Sequence, residues 1–167
     1  MRLTSEIVKD LVEKKIAFVE RMGLKVLELT PGYAKLLAPL RGNENHIGSM
    51  YAGALFTLAE MSGGALFLTT FDPTKCYPII KELTIKFLHP AHSDITAEAF
   101  LSEEEVDRIS GEISKEGKAE FVLHEELKDE SGTVVATSRG VYQLRRTDKQ
   151  WVIPVQGSNQ ISVDIHQ

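Results

Sequence analysis

Glu60 is the residue whose position in this sequence most directly suggests chemistry. It is the only charged residue in the otherwise apolar segment 52–71. An ionised carboxylate in apolar surroundings is unstable unless it is hydrated, paired or protonated. Glu60 therefore lies either at a rim, where an ion pair or water covers it, or in a polar site where a reaction takes place.

The segment 52–71 positions this carboxylate and is predicted to be a helix. A helix that is apolar on nearly all sides is normally enclosed by the rest of its domain. Its length is close to that of a membrane span, but its three glycines, its four hydroxyl residues and Glu60 favour a buried helix. The residues that lead into it are predicted to form a polar loop with glycine at two positions: Asn45-His46-Ile47-Gly48-Ser49-Met50-Tyr51-Ala52-Gly53.

The segments around the central helix follow simple patterns. A first helix ending at Gly23 is predicted from the spacing of six apolar residues, Val8, Leu11, Val12, Ile16, Val19 and Met22. The turn at Pro31-Gly32 predicts a hairpin of strands over 24–30 and 33–40. The rest of the chain is predicted to be β, with bends at Gly111 and Gly117 and with the acidic run 102–105 as a solvated strand end. These strands cover 77–88, 95–104, 109–127 and 133–145.

This order of elements predicts an α+β fold in which a curved antiparallel sheet wraps around one long apolar helix. One sheet can cover only part of such a helix, and the sheet also has edges that need protection. Packing alone therefore predicts a dimer. We expect residues 1–146 to form a single domain with an N-terminal helix, and residues 147–167 to form a C-terminal extension whose role the sequence does not show.

Composition narrows the functional classes. The chain has 167 residues, of which 43% are hydrophobic and 26% charged, and its formal net charge is −5. This balance gives no electrostatic case for binding nucleic acid or an anionic membrane. The single cysteine excludes an internal disulfide framework, and His89 and His92 lack a third metal ligand. The charged N-terminal segment does not have the apolar core of a signal peptide, so a soluble cytoplasmic protein is expected.

Three blocks of the sequence, in order, carry a family resemblance. Asn45 and Gly48 match the pattern Asn-x-x-Gly-x-x-His-Gly-Gly, and Glu60 falls on the acidic position nine residues after its histidine. The strand 82–88 is followed by His89-Pro90-Ala91, and the segment 132–138 fits a final strand of the form Gly-x-x-Val-Ala. Over residues 20–146 the chain resembles the hotdog-fold acyl-CoA thioesterases of the phenylacetate-pathway type.

The chain departs from this pattern at the start of the central helix. Tyr51 replaces the usual histidine, and Ala52 replaces the first glycine of the pair, while Gly53 keeps the second. These changes bring the chain closer to an uncharacterised branch of the superfamily that has Gly-x-x-x-x-Gly-Ala and a glutamate on the helix.

The resemblance implies a hotdog fold and hydrolysis of an acyl-CoA thioester, with Glu60 as the general base or nucleophile. It also implies that the Ala52 amide polarises the thioester carbonyl and that Asn45 holds the water or the carbonyl. Gly48, Tyr51 and Gly53 would contact the substrate. No cofactor is implied, because coenzyme A enters only as part of the substrate.

The same resemblance implies that the site is shared between two chains. Eight residues of helix separate Ala52 from Glu60, a rise of about 12 Å. One chain cannot easily place both groups on one carbonyl, so the acid would come from one protomer and the amide from the other, in a homodimer or a homotetramer.

Two other functions remain open. Tyr51 and Ala52 are the best evidence for a non-catalytic acyl-CoA-binding protein on the same fold. A β-hydroxyacyl dehydratase uses a histidine and a glutamate fourteen residues apart, as His46 and Glu60 are, but this chain has Ile47-Gly48 in place of the Phe-Pro of those enzymes. Each candidate also has a structural reading: Glu60 in an ion pair, Asn45 tying the loop together, and Tyr51 packing at the helix start.

Overall fold

The computed structural model describes residues 3–147. The predicted C-terminal extension lies outside this range except for Thr147. In chain order the elements are α1 (Ser5–Lys14), α2 (Ala17–Met22), β1 (Lys25–Thr30), β2 (Tyr33–Ala38), α3 (Ala52–Thr70), β3 (Cys76–Phe87), β4 (Ile95–Phe100), α4 (Glu103–Glu116), β5 (Lys118–Lys128) and β6 (Val134–Arg146).

The six strands form one sheet in the order β1-β2-β4-β5-β6-β3, and every neighbouring pair is antiparallel. Helix α3 packs against this sheet and contacts all six strands. The predicted α+β architecture, with the sheet wrapped around one long apolar helix, is confirmed. Strands β1 and β3 form the two edges, and β3 is 12 residues long.

Helix α3 supplies the centre of the core. Most of its side chains are buried, among them Leu58, Ala59, Ala65 and Leu66. Among residues 3–147 it is the one helix long and apolar enough to cross a membrane, and most of it is buried inside the protein. Gly63 lets the helix approach β6 closely, because a Cβ atom at this position would collide with the ring of Tyr142.

The single N-terminal helix of the prediction is wrong, because the chain forms two helices here. Ile16 breaks the helical path with an extended backbone conformation (φ −99°, ψ 111°), and its side chain is 49% exposed. Val19 and Met22 on the second helix still reach the core, and Gly23 ends that helix in the left-handed conformation. The break contains neither proline nor glycine, so the sequence pattern carried no sign of it.

The predicted strand over 109–127 is also wrong in its first part, which belongs to helix α4. Ser102 caps this helix by accepting a hydrogen bond from the Glu105 amide at 3.2 Å. Residues 102–105 are therefore the start of a helix, where acidic side chains oppose the positive end of the helix dipole, and not a strand end. Gly117 ends the helix with φ of 75°.

The sequence did contain signals for α4. Ser102 and Glu105 have the spacing of a capping box, and Ile109 and Ile113 recur at helical spacing and are both buried. The run of strands on either side favoured the β interpretation. Strand β4 accordingly stops at Phe100 rather than continuing to residue 104, and β5 begins at Lys118.

Candidate active site

The start of α3 presents free backbone donors. The amides of Ala52 and Gly53 donate to no acceptor within residues 3–147, whereas the Tyr51 amide donates to the Asn43 carbonyl at 2.8 Å. The side chain of Tyr51, the N-cap residue, makes no capping hydrogen bond. Two N–H groups at the positive end of a helix dipole can stabilise an oxygen that becomes negative.

A cavity of about 320 Å³ lies at this helix start and is lined by Ala52. It brings the loop before α3 together with the helix start and with the segment that follows β3. The lining residues are Asn45, Ile47, Ser49, Met50, Ala52, Leu55, Phe87, Leu88, His89, Pro90 and Ala91. The first two sequence blocks that carry the family resemblance therefore meet in one place. The cavity is mostly apolar, as a site for an acyl group would be.

The Asn45 side chain is engaged within its own loop. Its Oδ1 accepts hydrogen bonds from the amides of Ile47 (3.0 Å) and Ser49 (3.2 Å), and its Nδ2 donates to Ser49 Oγ at 2.8 Å. Gly48 allows the turn by adopting φ of 83°. Asn45 thus fixes the loop that forms one wall of the cavity, and one N–H of its amide group stays available to a ligand.

Tyr51 and Gly53 lie side by side at the helix entrance. The Tyr51 ring is 60% exposed, and a Cβ atom on residue 53 would press against it. Gly53 therefore accommodates the Tyr51 ring. Their contact with substrate stays a prediction.

Glu60 lies half-buried two turns further along α3. Burial raises the pKa of its carboxyl above the usual value. It forms no hydrogen bond or ion pair with any residue of the described range 3–147, so nothing there compensates its desolvation. It is not among the residues that line the cavity at the Ala52 end, consistent with a rise of about 12 Å between the two groups.

The sequence analysis missed a second polar group in the middle of the domain. Glu125, on β5, is 5% exposed and touches Ser62 of α3 and Ser138 of β6. Ser138 Oγ donates to Glu125 Oε2 at 2.9 Å. Burial raises the pKa of Glu125 to about 7, against the opposing effect of the two serines. The alternation of inward and outward residues along β5 could have revealed it, because every second residue from Ala119 to Leu127 points inward.

Tyr142 of β6 is a further buried residue with a polar group in this part of the core. Its ring stacks on Phe121 with centroids 5.5 Å apart, and its hydroxyl has no hydrogen-bond partner in residues 3–147. Burial, with the charges of Glu125 and Glu60 adding to it, raises its pKa.

The other titratable side chains support no separate site. His46, His89, His92 and His124 are exposed, and residues 3–147 contain no group of three potential metal ligands. Cys76 is buried, and desolvation raises the pKa of its thiol to about 11. A thiol with a raised pKa is a poor nucleophile near neutral pH.

Comparison with known proteins assigns the chain to a protein family. Residues 4–143 match a protein family described as a domain of unknown function, DUF4442. The chain belongs to this family. A protein structure from Pseudomonas aeruginosa, described as of unknown function and a probable thioesterase, is 54% identical to this chain. The match covers 88% of this chain and 99% of that one, with a TM-score of 0.85.

More distant relatives share the fold. A thioesterase from Haemophilus influenzae is 15% identical and superposes with a TM-score of 0.70, over 89% of this chain and 95% of that one. A Saccharolobus solfataricus protein named as an unverified esterase is 23% identical over 86% of this chain and 94% of its own length. The fold is the hotdog fold, and the predicted resemblance to hotdog-fold thioesterases is confirmed. The names of these relatives support a hydrolase function.

Proposed function

We propose that this protein hydrolyses an acyl-CoA thioester at a site made from two protomers. The observation that carries the proposal is the free Ala52 amide at the start of α3, where Ala52 lines a mostly apolar cavity. A thioester carbonyl placed there would receive a hydrogen bond from the Ala52 amide. The acyl group would lie among the apolar residues of the cavity, which Asn45 also lines. Gly48, Tyr51 and Gly53 are not among the lining residues, and their contact with the substrate stays a prediction.

Glu60 supplies the base in this proposal. Its carboxylate takes a proton from a water molecule, whose oxygen bonds to the thioester carbon while the carbonyl oxygen becomes negative. The Ala52 amide stabilises that negative oxygen. When the intermediate collapses, the C–S bond breaks and the proton passes from Glu60 to the departing thiolate. The raised pKa of Glu60 suits this role, since a base works best with a pKa nearer the operating pH.

The rise of about 12 Å between Ala52 and Glu60 is why we assign them to different protomers. Edge strand β3 offers 12 residues of backbone for pairing with a second copy. Exposed apolar side chains lie on and beside it, at Ile80, Phe87 and Leu88. A homodimer joined through β3 would cover them, and two dimers could pair further into a tetramer. The proposal needs no cofactor, and it keeps the cytoplasmic location expected from the sequence.

A first experiment tests the activity with a panel of acyl-CoA substrates that vary in chain length and head group. The expected result is release of free thiol from at least one of them. Binding of acyl-CoA without any thiol release would instead favour a non-catalytic binding protein. Hydration of an enoyl thioester would favour the dehydratase alternative.

A second experiment tests the shared site by complementation. Glu60→Gln and Ala52→Pro homodimers should each be nearly inactive. In a mixed dimer, one of the two sites combines the intact Glu60 of one chain with the intact Ala52 amide of the other. After the two variants are mixed and their subunits exchange, activity should therefore rise to at most about a quarter of the wild-type value. Half of the dimers are then mixed, and each mixed dimer has one intact site out of two. Activity that stays at the level of the separate variants, with exchange verified by mass spectrometry of the intact dimers, would contradict a shared site.

A further inference from the structure

The contacts of the buried polar residues between α3 and the sheet restrict which atoms can carry the hydrogen-bonding protons. Ser62 Oγ contacts both the Ala59 carbonyl, at 2.8 Å, and Glu125 Oε1. A serine hydroxyl has one proton and cannot donate to both. When it donates to Ala59, the contact with Glu125 needs a proton on the carboxyl group, which then donates to Ser62.

A neutral Glu125 fits everything around it. No lysine, arginine or histidine of the described residues pairs with it, and Ser138 satisfies its second oxygen. Its pKa of about 7 agrees with a carboxyl group that keeps its proton below neutral pH. In this form Glu125 donates to Ser62 and accepts from Ser138, and a neutral carboxyl group is a weaker acceptor than an ionised carboxylate.

The Tyr142 hydroxyl is a donor without an acceptor in this cluster. Its hydroxyl is buried, and it lies against the α3 backbone at Gly63, in the space that a side chain at that position would occupy. Glu60 precedes Gly63 by three residues, so its Cβ lies about 5–6 Å from that space. A glutamate side chain can cross that distance by a change of rotamer.

Glu60 is the matching acceptor. Glu60 and Glu125 are the titratable side chains, among residues 3–147, that act on the Tyr142 hydroxyl. The side chains beside the ring on the neighbouring strands, Phe121 on β5 and Ile80 on β3, are apolar. Since Glu125 is already satisfied, Glu60 is the carboxylate with free acceptor capacity, and a buried hydroxyl without a partner is costly.

We propose that Tyr142 is a positioning residue for Glu60. Its hydroxyl donates the hydrogen bond that holds the Glu60 carboxylate in place for reaction, and neutral Glu125 leaves that hydrogen bond to Glu60. The inference rests on the proposed function for the role of Glu60, but the hydrogen bond itself can be tested without any turnover.

The kinetic test uses Tyr142→Phe, which removes only the hydroxyl. We expect kcat to fall at least about tenfold with KM nearly unchanged, since a hydrogen bond to a charged group is lost. The acid limb of the kcat/KM profile should move to higher pH, because losing a donor to its charged form raises the pKa of Glu60. Tyr33→Phe, on β2 and outside this cluster, is the matched control and should leave both quantities unchanged.

A double variant separates positioning from a merely structural role. If Tyr142 acts through Glu60, Tyr142→Phe should have little further effect on residual turnover in a Glu60→Gln background. An undiminished effect in that background, or an unmoved acid limb in the single variant, would overturn the proposal.

A measurement independent of activity distinguishes this inference from the proposed function. Carbon-13 NMR of the glutamate carboxyl groups, with Glu60 assigned by comparison with Glu60→Gln, gives its pKa directly. We expect Tyr142→Phe to raise that pKa by at least about half a unit. If the pKa of Glu60 shifts in a protein that hydrolyses no thioester, the Tyr142–Glu60 hydrogen bond is supported and the catalytic proposal is rejected. If the pKa of Glu60 does not shift, the hydrogen bond is rejected whatever the activity.

Discussion

Helix α3 carries two polar regions of opposite construction. At its start, the Ala52 and Gly53 amides are free, Ala52 lines a cavity, and the donors belong to the backbone. Near its middle, in the buried interior, Glu125 contacts Ser62 and Ser138, and the Tyr142 hydroxyl lies against Gly63 without a partner in residues 3–147. All the polar groups there except the Ala59 carbonyl belong to side chains.

The difference explains which substitutions each region can accept. A backbone amide stays in place whatever side chain its residue carries, so alanine at position 52 keeps the same donor that glycine would supply. In the interior a hydroxyl or carboxyl group without a partner is costly, so the identity of each side chain matters. Glu60 lies on the helix between the two regions and gives the sharpest tests of the comparison.

The largest effect is expected from Glu60→Gln, which keeps the shape of the side chain and removes the base. Turnover should fall by about 10²-fold or more, with substrate binding largely kept. Steady-state kinetics and a separate measurement of acyl-CoA binding would check both parts. Turnover within a few-fold of the wild type would place the base elsewhere.

The open end of α3 is tested by Ala52→Pro. Proline removes the proposed donor, yet it is tolerated in the first turn of a helix because that N–H has no intrahelical partner. We expect a loss of about 3 kcal/mol of transition-state stabilisation, as for removal of one oxyanion donor. Ala52→Gly keeps the amide and should be close to neutral. A folded, dimeric proline variant with normal turnover would disprove the oxyanion site.

The interior region is tested by the pH dependence of stability. The pKa of Glu125 is about 7 in the folded protein, against 4.5 for an unperturbed glutamate. Between these values the folded state holds a proton that the unfolded state has released, so the free energy of unfolding falls as the pH rises through this window. At about 1.4 kcal/mol per pKa unit, the loss should approach about 3 kcal/mol by pH 8.

Glu125→Gln should remove that loss, because a neutral amide can donate to Ser62 and accept from Ser138 at any pH. We expect the variant to match the wild type at pH 5 and to be more stable at pH 8, measured by denaturant unfolding. Glu126→Gln, exposed on the same strand, is the matched control. An unchanged decline with pH in Glu125→Gln would assign the titration to another group.

The sequence by itself determined most of what depends on local pattern. The apolar run of α3, the turn at Pro31-Gly32 and the alternation of the later strands were sufficient for the α+β architecture. The same patterns singled out Glu60 and the loop at Asn45, because a charge within an apolar helix and a glycine-containing loop before it are visible in one dimension. Competing patterns explain the errors, as at α4, where capping signals were outweighed by the strands around them.

The tertiary structure alone decided which polar groups meet. Glu125, Ser62 and Ser138 come from three elements, and their contacts depend on the register of β5 against β6 and on the rotation of α3 over the sheet. Tyr142 is one more aromatic residue in the sequence, and its unpaired hydroxyl appears only where Gly63 lets the helix approach the sheet. Local patterns specify the elements, whereas the partners of a buried polar group follow from how the layers pack, which no single segment encodes.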